Sequence, residues 1–175
     1  MRKVKMRKVT YGFLLLVGLF AFLAQGTDTE TQTPATSATV NVYVDTSLSS
    51  ASIAFGNLDP GTTDSAATGN PLTLTNTANS NTAIDTYLQA TNLTKSGAFI
   101  GVGNLSVAKT AGGAKTPLVS SGYLTGAGPN AGYYENTSVS GTADFYFFLS
   151  IPTGQAAGAY SGTVTMKSVA DGNTP

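Results

Sequence analysis

The sequence predicts an all-β protein, a jelly-roll or Greek-key β-sandwich that carries an extra strand at its N-terminus. From Ala38 onward, short runs of β-branched and aromatic residues are separated by Gly, Asn, Asp, Ser and Pro, which is typical of strands joined by turns. In the run 143–151, Phe145, Phe147 and Leu149 fall on one face of an alternating pattern. No stretch after residue 26 has the periodicity of an amphipathic helix.

The first 26 residues have the composition of a secretory signal peptide. Five Lys and Arg residues lie within positions 2–8, and an apolar stretch of twelve residues follows from Phe13 to Ala24. Twelve helical residues span about 18 Å of the ~30 Å hydrocarbon core, so we expect no permanent membrane span in the mature chain. Small residues place the cleavage site between Gly26 and Thr27. The alternative is cleavage after Gly12, which would keep the apolar stretch as the stem of a type IV pilin-like subunit.

Removal of this leader leaves an acidic chain. The remainder holds four lysines, no arginine and nine acidic residues, a net charge near minus five. An acidic surface without arginine argues against a nucleic-acid partner. Most of the affinity of a protein for nucleic acid comes from Lys and Arg side chains that neutralise its phosphates. The expected location is extracellular, either secreted or at the cell surface.

The composition also argues against an enzyme. The chain has no His and no Cys, so a zinc or copper site would lack its usual ligands and a serine nucleophile would lack its usual base. Asp59 and Asp64 are interpreted as turn residues, and Asp85 and Asp144 as solvated surface. We therefore expect no catalytic residues, no cofactor and no metal.

The segment Thr39–Val44, named the valine segment here, is the most informative part of the chain. Val40, Val42 and Val44 fall on one face of a strand, and Asn41 and Tyr43 fall on the other. It is either the first strand of its own sandwich or a donor strand that inserts into a neighbouring subunit. In the second case Val42 is the central anchor, and the joint is head-to-tail, which yields a homopolymer.

The predicted organisation divides the chain into four parts. These are a signal peptide (1–26), a polar Thr-rich arm (27–37), a donor strand (38–45) and a β-sandwich domain (46–175). The predicted strands are Thr39–Val44, Ala51–Phe55, Leu72–Asn76, Ala83–Ala90, Ala98–Val102, Leu105–Ala108, Leu118–Ser120, Ala143–Ile151 and Ala159–Ser168. The last two are predicted to pair as a hairpin.

Two further sets of residues carry expectations. Asn92, Asn104 and Asn136 begin N-glycosylation sequons, with Asn136 expected in a loop and Asn104 the least accessible. Tyr123, Tyr133 and Tyr134 suggest an alternative function, in which a monomeric surface module binds carbohydrate or protein on a platform of aromatic rings.

Three runs resemble exported fibre subunits. They are Ser-Ile-Ala-Phe-Gly-Asn-Leu-Asp-Pro-Gly-Thr (52–62), Leu-Thr-Leu-Thr-Asn (72–76) and the stretch 149–165 around Pro-Thr-Gly-Gln-Ala-Ala-Gly-Ala-Tyr. The chain is similar to archaeal bundling pilins and, more distantly, to the TasA and camelysin biofilm fibre proteins. The resemblance implies a jelly-roll subunit that polymerises through an N-terminal donor strand into filaments that bundle laterally in a biofilm matrix. The metalloprotease activity ascribed to camelysins finds no support in a chain without His.

Overall fold

The computed structural model describes residues 35–126 and 132–175, and this part of the chain is all-β. It contains a single 3₁₀ turn, Val102–Asn104, and no α-helix. The strands are β1 Thr46–Leu48, β2 Ser65–Ala66, β3 Leu72–Asn76, β4 Ile84–Ala90, β5 Leu93–Lys95, β6 Ala98–Ile100, β7 Leu105–Ala108, β8 Thr116–Pro117, β9 Tyr134–Thr137, β10 Thr142–Leu149 and β11 Val164–Ala170. The all-β prediction is confirmed, and the jelly-roll connectivity stays a prediction.

Some predictions fall outside the described residues. The signal peptide, its Gly26–Thr27 cleavage site and residues 27–34 of the polar arm belong to this group. Residues 35–39 are exposed and carry no regular secondary structure. Among the residues that the structure describes, no helix is long and apolar enough to cross a bilayer.

The strands form two main sheets and a separate hairpin. The larger sheet has six strands in the order β1-β3-β10-β7-β8, with β2 also paired to β10, and the smaller sheet has three in the order β11-β4-β9. Strands β5 and β6 form the hairpin. Every pairing is antiparallel, as expected where neighbouring strands are joined by short turns.

A single hydrophobic core joins the two sheets. The inward faces of β3 and β10 contribute Leu74, Phe145 and Phe147, and β4 contributes Ile84 and Leu88. The core face predicted for β10 is confirmed, because Phe145, Phe147 and Leu149 are all buried, and Phe148 on the opposite face is buried as well. This period of two follows from the pleat, which sends successive side chains to opposite faces.

The predicted hairpin between the last two long strands is wrong. Strand β10 already has neighbours on both sides, with β3 along Thr142–Phe145 and β7 along Tyr146–Leu149. The last strand, β11, instead pairs along its whole length with β4 in the other sheet. The connection 150–163 therefore crosses between sheets and does not turn back on β10.

Other strand predictions have mixed outcomes. Leu72–Asn76 and Leu105–Ala108 are confirmed at both ends as β3 and β7. The segment Ala51–Phe55 holds only an isolated bridge from Ala54 to Thr68, and Leu118–Ser120 follows the short strand β8 without extending it. Thr39–Val44 is not assigned as a strand.

Asp85 differs most from its expected surface position. It is buried in β4, where its two carboxylate oxygens accept hydrogen bonds from the backbone N–H groups of Asn136 and Gly172, each at 2.9 Å. A buried carboxylate needs such donors because water no longer solvates it. The neighbouring Asp171 has a raised pKa, caused first by desolvation and then by the charge of Asp85. The C-terminal residues thus close one end of the smaller sheet.

The burial pattern predicts which phenylalanine stabilises the fold. Phe147 is fully buried, whereas Phe99 on β6 is 63% exposed. We expect Phe147→Ala to lower the free energy of unfolding by about 3–5 kcal/mol, because it removes buried apolar area and leaves a cavity. Phe99→Ala is the matched control and should change it by less than about 0.5 kcal/mol. Urea unfolding followed by circular dichroism measures both, and equal effects would contradict this core.

Candidate assembly site

A large groove with many apolar lining residues opens beside β11, the last strand. Its volume is about 1280 Å³, larger than the roughly 300–1,000 Å³ of pockets that hold small molecules. One wall is the irregular segment 50–60, and the other is formed by residues 155–163 and the start of β11.

The groove reaches the hydrophobic core. Its lining includes the core residues Leu72, Ile100, Leu105 and Leu149. Half-buried apolar side chains stand along the walls, namely Ile53, Phe55, Leu58, Leu93, Ile151, Tyr160, Val164 and Met166. Apolar area left in water at this position is a source of binding free energy for any segment that covers it.

Strand β11 borders the groove and has a free edge. It pairs with β4 on one side, and no strand in the described part of the chain pairs with its other side. A strand edge presents unpaired N–H and C=O groups, which can accept an additional strand. The groove therefore offers both an apolar floor and a row of backbone hydrogen-bonding groups.

The valine segment lies outside this groove and is exposed. Val40 is 82% and Val42 is 67% exposed, whereas Val44 is half-buried against the core. Exposure of these valines to water is unfavourable, and any contact that covers them lowers the free energy.

Asn81 attaches the valine segment to the rest of the subunit. Its side-chain oxygen accepts a hydrogen bond from the N–H of Tyr43 at 2.8 Å, and its side-chain nitrogen donates to the C=O of Asn41, also at 2.8 Å. Its backbone N–H donates to the C=O of Tyr43 at 3.1 Å. The amide side chain thereby supplies the hydrogen bonds that a neighbouring strand would normally provide.

Asp45 fixes the base of the segment. Its carboxylate accepts hydrogen bonds from the hydroxyl of Thr77 at 2.6 Å and the side-chain nitrogen of Asn79 at 3.0 Å. Its backbone N–H donates to the hydroxyl of Ser80, and its C=O accepts from the backbone N–H of Thr77. The two side-chain donors, Thr77 first, lower the pKa of Asp45, since they stabilise the charged form.

The groove and the valine segment lie toward opposite ends of the pairing between β1 and β3. Thr46, where β1 begins directly after the valine segment and Asp45, lies opposite Asn76, and Leu72 at the other end of β3 lines the groove. The four residue steps between these ends of β3 span about 14 Å. No residue from 40 to 47 lines the groove among the described residues. A head-to-tail contact needs two different surfaces placed in this way.

The structure places the three sequons at positions of different exposure. Asn92 and Asn136 are exposed, although Asn136 lies within β9 and not in the expected loop. Asn104 is half-buried, and its side-chain nitrogen donates a hydrogen bond to the C=O of Gly101 at 3.2 Å. Glycosylation itself stays a prediction at all three.

The three tyrosines do not form an exposed platform. Tyr133 is buried, and its ring packs on Phe145 and against the edge of Tyr134. Burial raises the pKa of Tyr133 to about 12. Tyr123 contacts Tyr87 instead. Among the described residues, no group of three or more acidic side chains is arranged to hold a metal ion.

The donor-strand hypothesis implied an acceptor groove, but sequence reasoning did not identify the residues that line it or the role of Asn81. The groove is formed by side chains that are distant in sequence, so no local sequence pattern predicts it. Asn81 lies in Thr-Ala-Asn-Ser-Asn-Thr (77–82), a composition that indicates a turn, and nothing in it identifies the partner of that turn.

No family model, no curated protein and no solved structure matches this chain. The resemblance to bundling pilins therefore stays a prediction.

The Asp45 contacts give a prediction about pH. Because its pKa is lowered from the usual 3.8, Asp45 contributes stability that is present above pH 3.8 and is lost as the pH falls through its pKa in the folded protein. We expect Thr77→Val to move this pKa back toward 3.8, measured by NMR titration of the carboxyl carbon.

A matched control is Thr62→Val, whose hydroxyl bonds the Asp59 carbonyl and not Asp45. It should leave the pKa of Asp45 unchanged. In the same spectra Asp171 should titrate above 3.8, and an Asp45 pKa at or above 3.8 in the unaltered protein would contradict the network.

Proposed function

We propose that this protein is a secreted structural subunit of an extracellular filament. In the filament, the valine segment of one subunit occupies the groove of the next and pairs with the free edge of β11. The observation that carries the proposal is the coexistence, in one subunit, of an exposed alternating valine segment and an open groove that reaches the core. Each lacks what the other supplies.

The energetics favour such a joint. Covering Val40 and Val42 contributes about 1.5–3 kcal/mol each, and each new ladder hydrogen bond about 0.5–1.5 kcal/mol. The groove gains as well, because Val164 and Met166 are only partly buried in the isolated subunit. The bonds from Asn81 already restrain residues 41–43, which reduces the entropy lost on binding.

The placement of the two surfaces sets the type of assembly. A subunit whose segment leaves toward one end and whose groove opens toward the other makes heterologous contacts, which extend into a filament unless the rotation closes a ring. Exposed surfaces away from the joint, which include Asn136, remain available for lateral bundling and for attached glycans.

We expect Val42→Asp to abolish filaments of the chain beginning at Thr27, since a charge buried in the groove without a partner is strongly unfavourable. The folded subunit should be unaffected, because Val42 is exposed. Negative-stain electron microscopy and sedimentation measure assembly, and circular dichroism measures folding.

Val139→Asp is the matched control, because Val139 is also an exposed valine but lies outside the valine segment. It should assemble as the unaltered chain does. A chain beginning at Thr46 should stay monomeric. Normal filaments from Val42→Asp or from the shortened chain would place the joint elsewhere.

A further inference from the structure

We infer that Asn81 is a positioning residue that makes the valine segment pair with β11 of the next subunit in the antiparallel direction. The inference rests on the proposed function and deepens it, because it states how the segment enters the groove. It follows from which edge of the segment Asn81 occupies.

Asn81 bonds only alternate residues of the segment. Its contacts are with the backbone groups of Asn41 and Tyr43. In an extended chain, the N–H and C=O of successive residues point to opposite edges. The backbone groups of Val40 and Val42 therefore point to the edge that Asn81 leaves open, and they make no hydrogen bond to any described residue.

The free edge of β11 can be assigned in the same way. In β4, Leu88 and Ala90 direct backbone hydrogen bonds to Leu124 and Val119, which lie on the side away from β11. Their partners in the register, Met166 and Val164, therefore direct their own backbone groups away from β4, toward the free edge. The side chains of these same two residues line the groove.

The open edge of the valine segment and the free edge of β11 match, with the valines facing the groove, only when the two chains run antiparallel. When two antiparallel strands pair, directly opposed residues that exchange hydrogen bonds place their side chains on the same face. Val42 opposite Met166 then turns the side chains of Val40 and Val42, the two exposed valines of the segment, into the groove. In a parallel pair, a residue whose backbone N–H and C=O point at the partner strand lies opposite a residue whose backbone groups point away from it. Parallel pairing through the open edge would therefore turn the valines to solvent.

Asn81 thus determines which edge of the valine segment can pair with β11, which the alternating sequence pattern alone leaves open. A shift of the register by one residue would turn the side chains of Asn41 and Tyr43 into the groove. Antiparallel pairing through the opposite edge of the valine segment would have the same effect. With Asn81 bonded to that edge, the antiparallel arrangement is the one that covers the apolar surface. The polar turn 77–82 becomes part of the assembly apparatus in this account.

Engineered cysteine pairs test the direction, and the absence of native cysteine makes the result unambiguous. With Val42 opposite Met166, Val40 lies opposite Ser168 in an antiparallel pair, and Val164 is four residues away. A disulfide requires Cα atoms about 4.4–6.8 Å apart. Co-assembled Val40→Cys and Ser168→Cys subunits should form at least ten times more intermolecular disulfide than co-assembled Val40→Cys and Val164→Cys subunits.

Excess cross-linking to position 164 would overturn the inference and leave the proposed function intact. Failure of the unaltered chain to form filaments would overturn the proposed function itself.

The role of Asn81 has its own test in the full chain carrying Val42→Asp, which the proposed function expects to be monomeric. Asn81→Ala should accelerate amide hydrogen exchange at Tyr43 roughly tenfold, because it removes the acceptor for that N–H. Asn81→Asp keeps an acceptor oxygen and should restore most of the protection. Asn173→Ala, a change at an exposed asparagine elsewhere, is the control and should have no effect. Unchanged exchange in Asn81→Ala would overturn the role of this residue.

Discussion

The structure depends on an imbalance between its two sheets. Six strands form the larger sheet and three form the smaller one, and the groove lies beside β11, the last strand of the smaller sheet. Leu72, Leu105 and Leu149 lie beneath this groove. Hydrophobic burial is the main favourable contribution to folding, and the partly buried side chains of Val164 and Met166 on β11 would be buried further by an apolar segment that covers them. In the proposed assembly, the valine segment of a neighbouring subunit covers this apolar surface.

The polar network at Asp45 and Asn81 is the counterpart of this imbalance. Without this network, the exposed side chains of Val40 and Val42 would be free to pack against apolar surface of their own subunit, including its groove. Hydrogen bonds from the 77–81 turn hold the base of the segment and one of its edges. The valine side chains at positions 40 and 42 stay exposed, with their backbone groups directed to the open edge. In the proposed assembly, these polar contacts would specify the geometry of the joint and the apolar contacts would supply its affinity.

The sequence predicted the parts of the fold that depend on local patterns. Strands β3 and β7 were predicted at both ends because Leu-Thr-Leu-Thr-Asn and Leu-Ser-Val-Ala alternate cleanly, and the core face of β10 follows from its phenylalanines. The valine segment was also identified from its alternation. Pairing partners were harder to predict, because β10 and β11 are adjacent in sequence yet belong to different sheets. The burial of Asp85 had no local signal, since its donors come from residues 136 and 172.

A complementation experiment tests the central claim most directly. Val42→Asp removes the donor and keeps the groove, whereas Met166→Asp alters the groove and keeps the donor. Each variant alone should stay monomeric by analytical ultracentrifugation, with circular dichroism unchanged. An equimolar mixture can form one intact joint only, so the account predicts dimers and no filaments. Filaments from either variant alone, or a mixture that stays monomeric, would contradict the assignment of donor and acceptor.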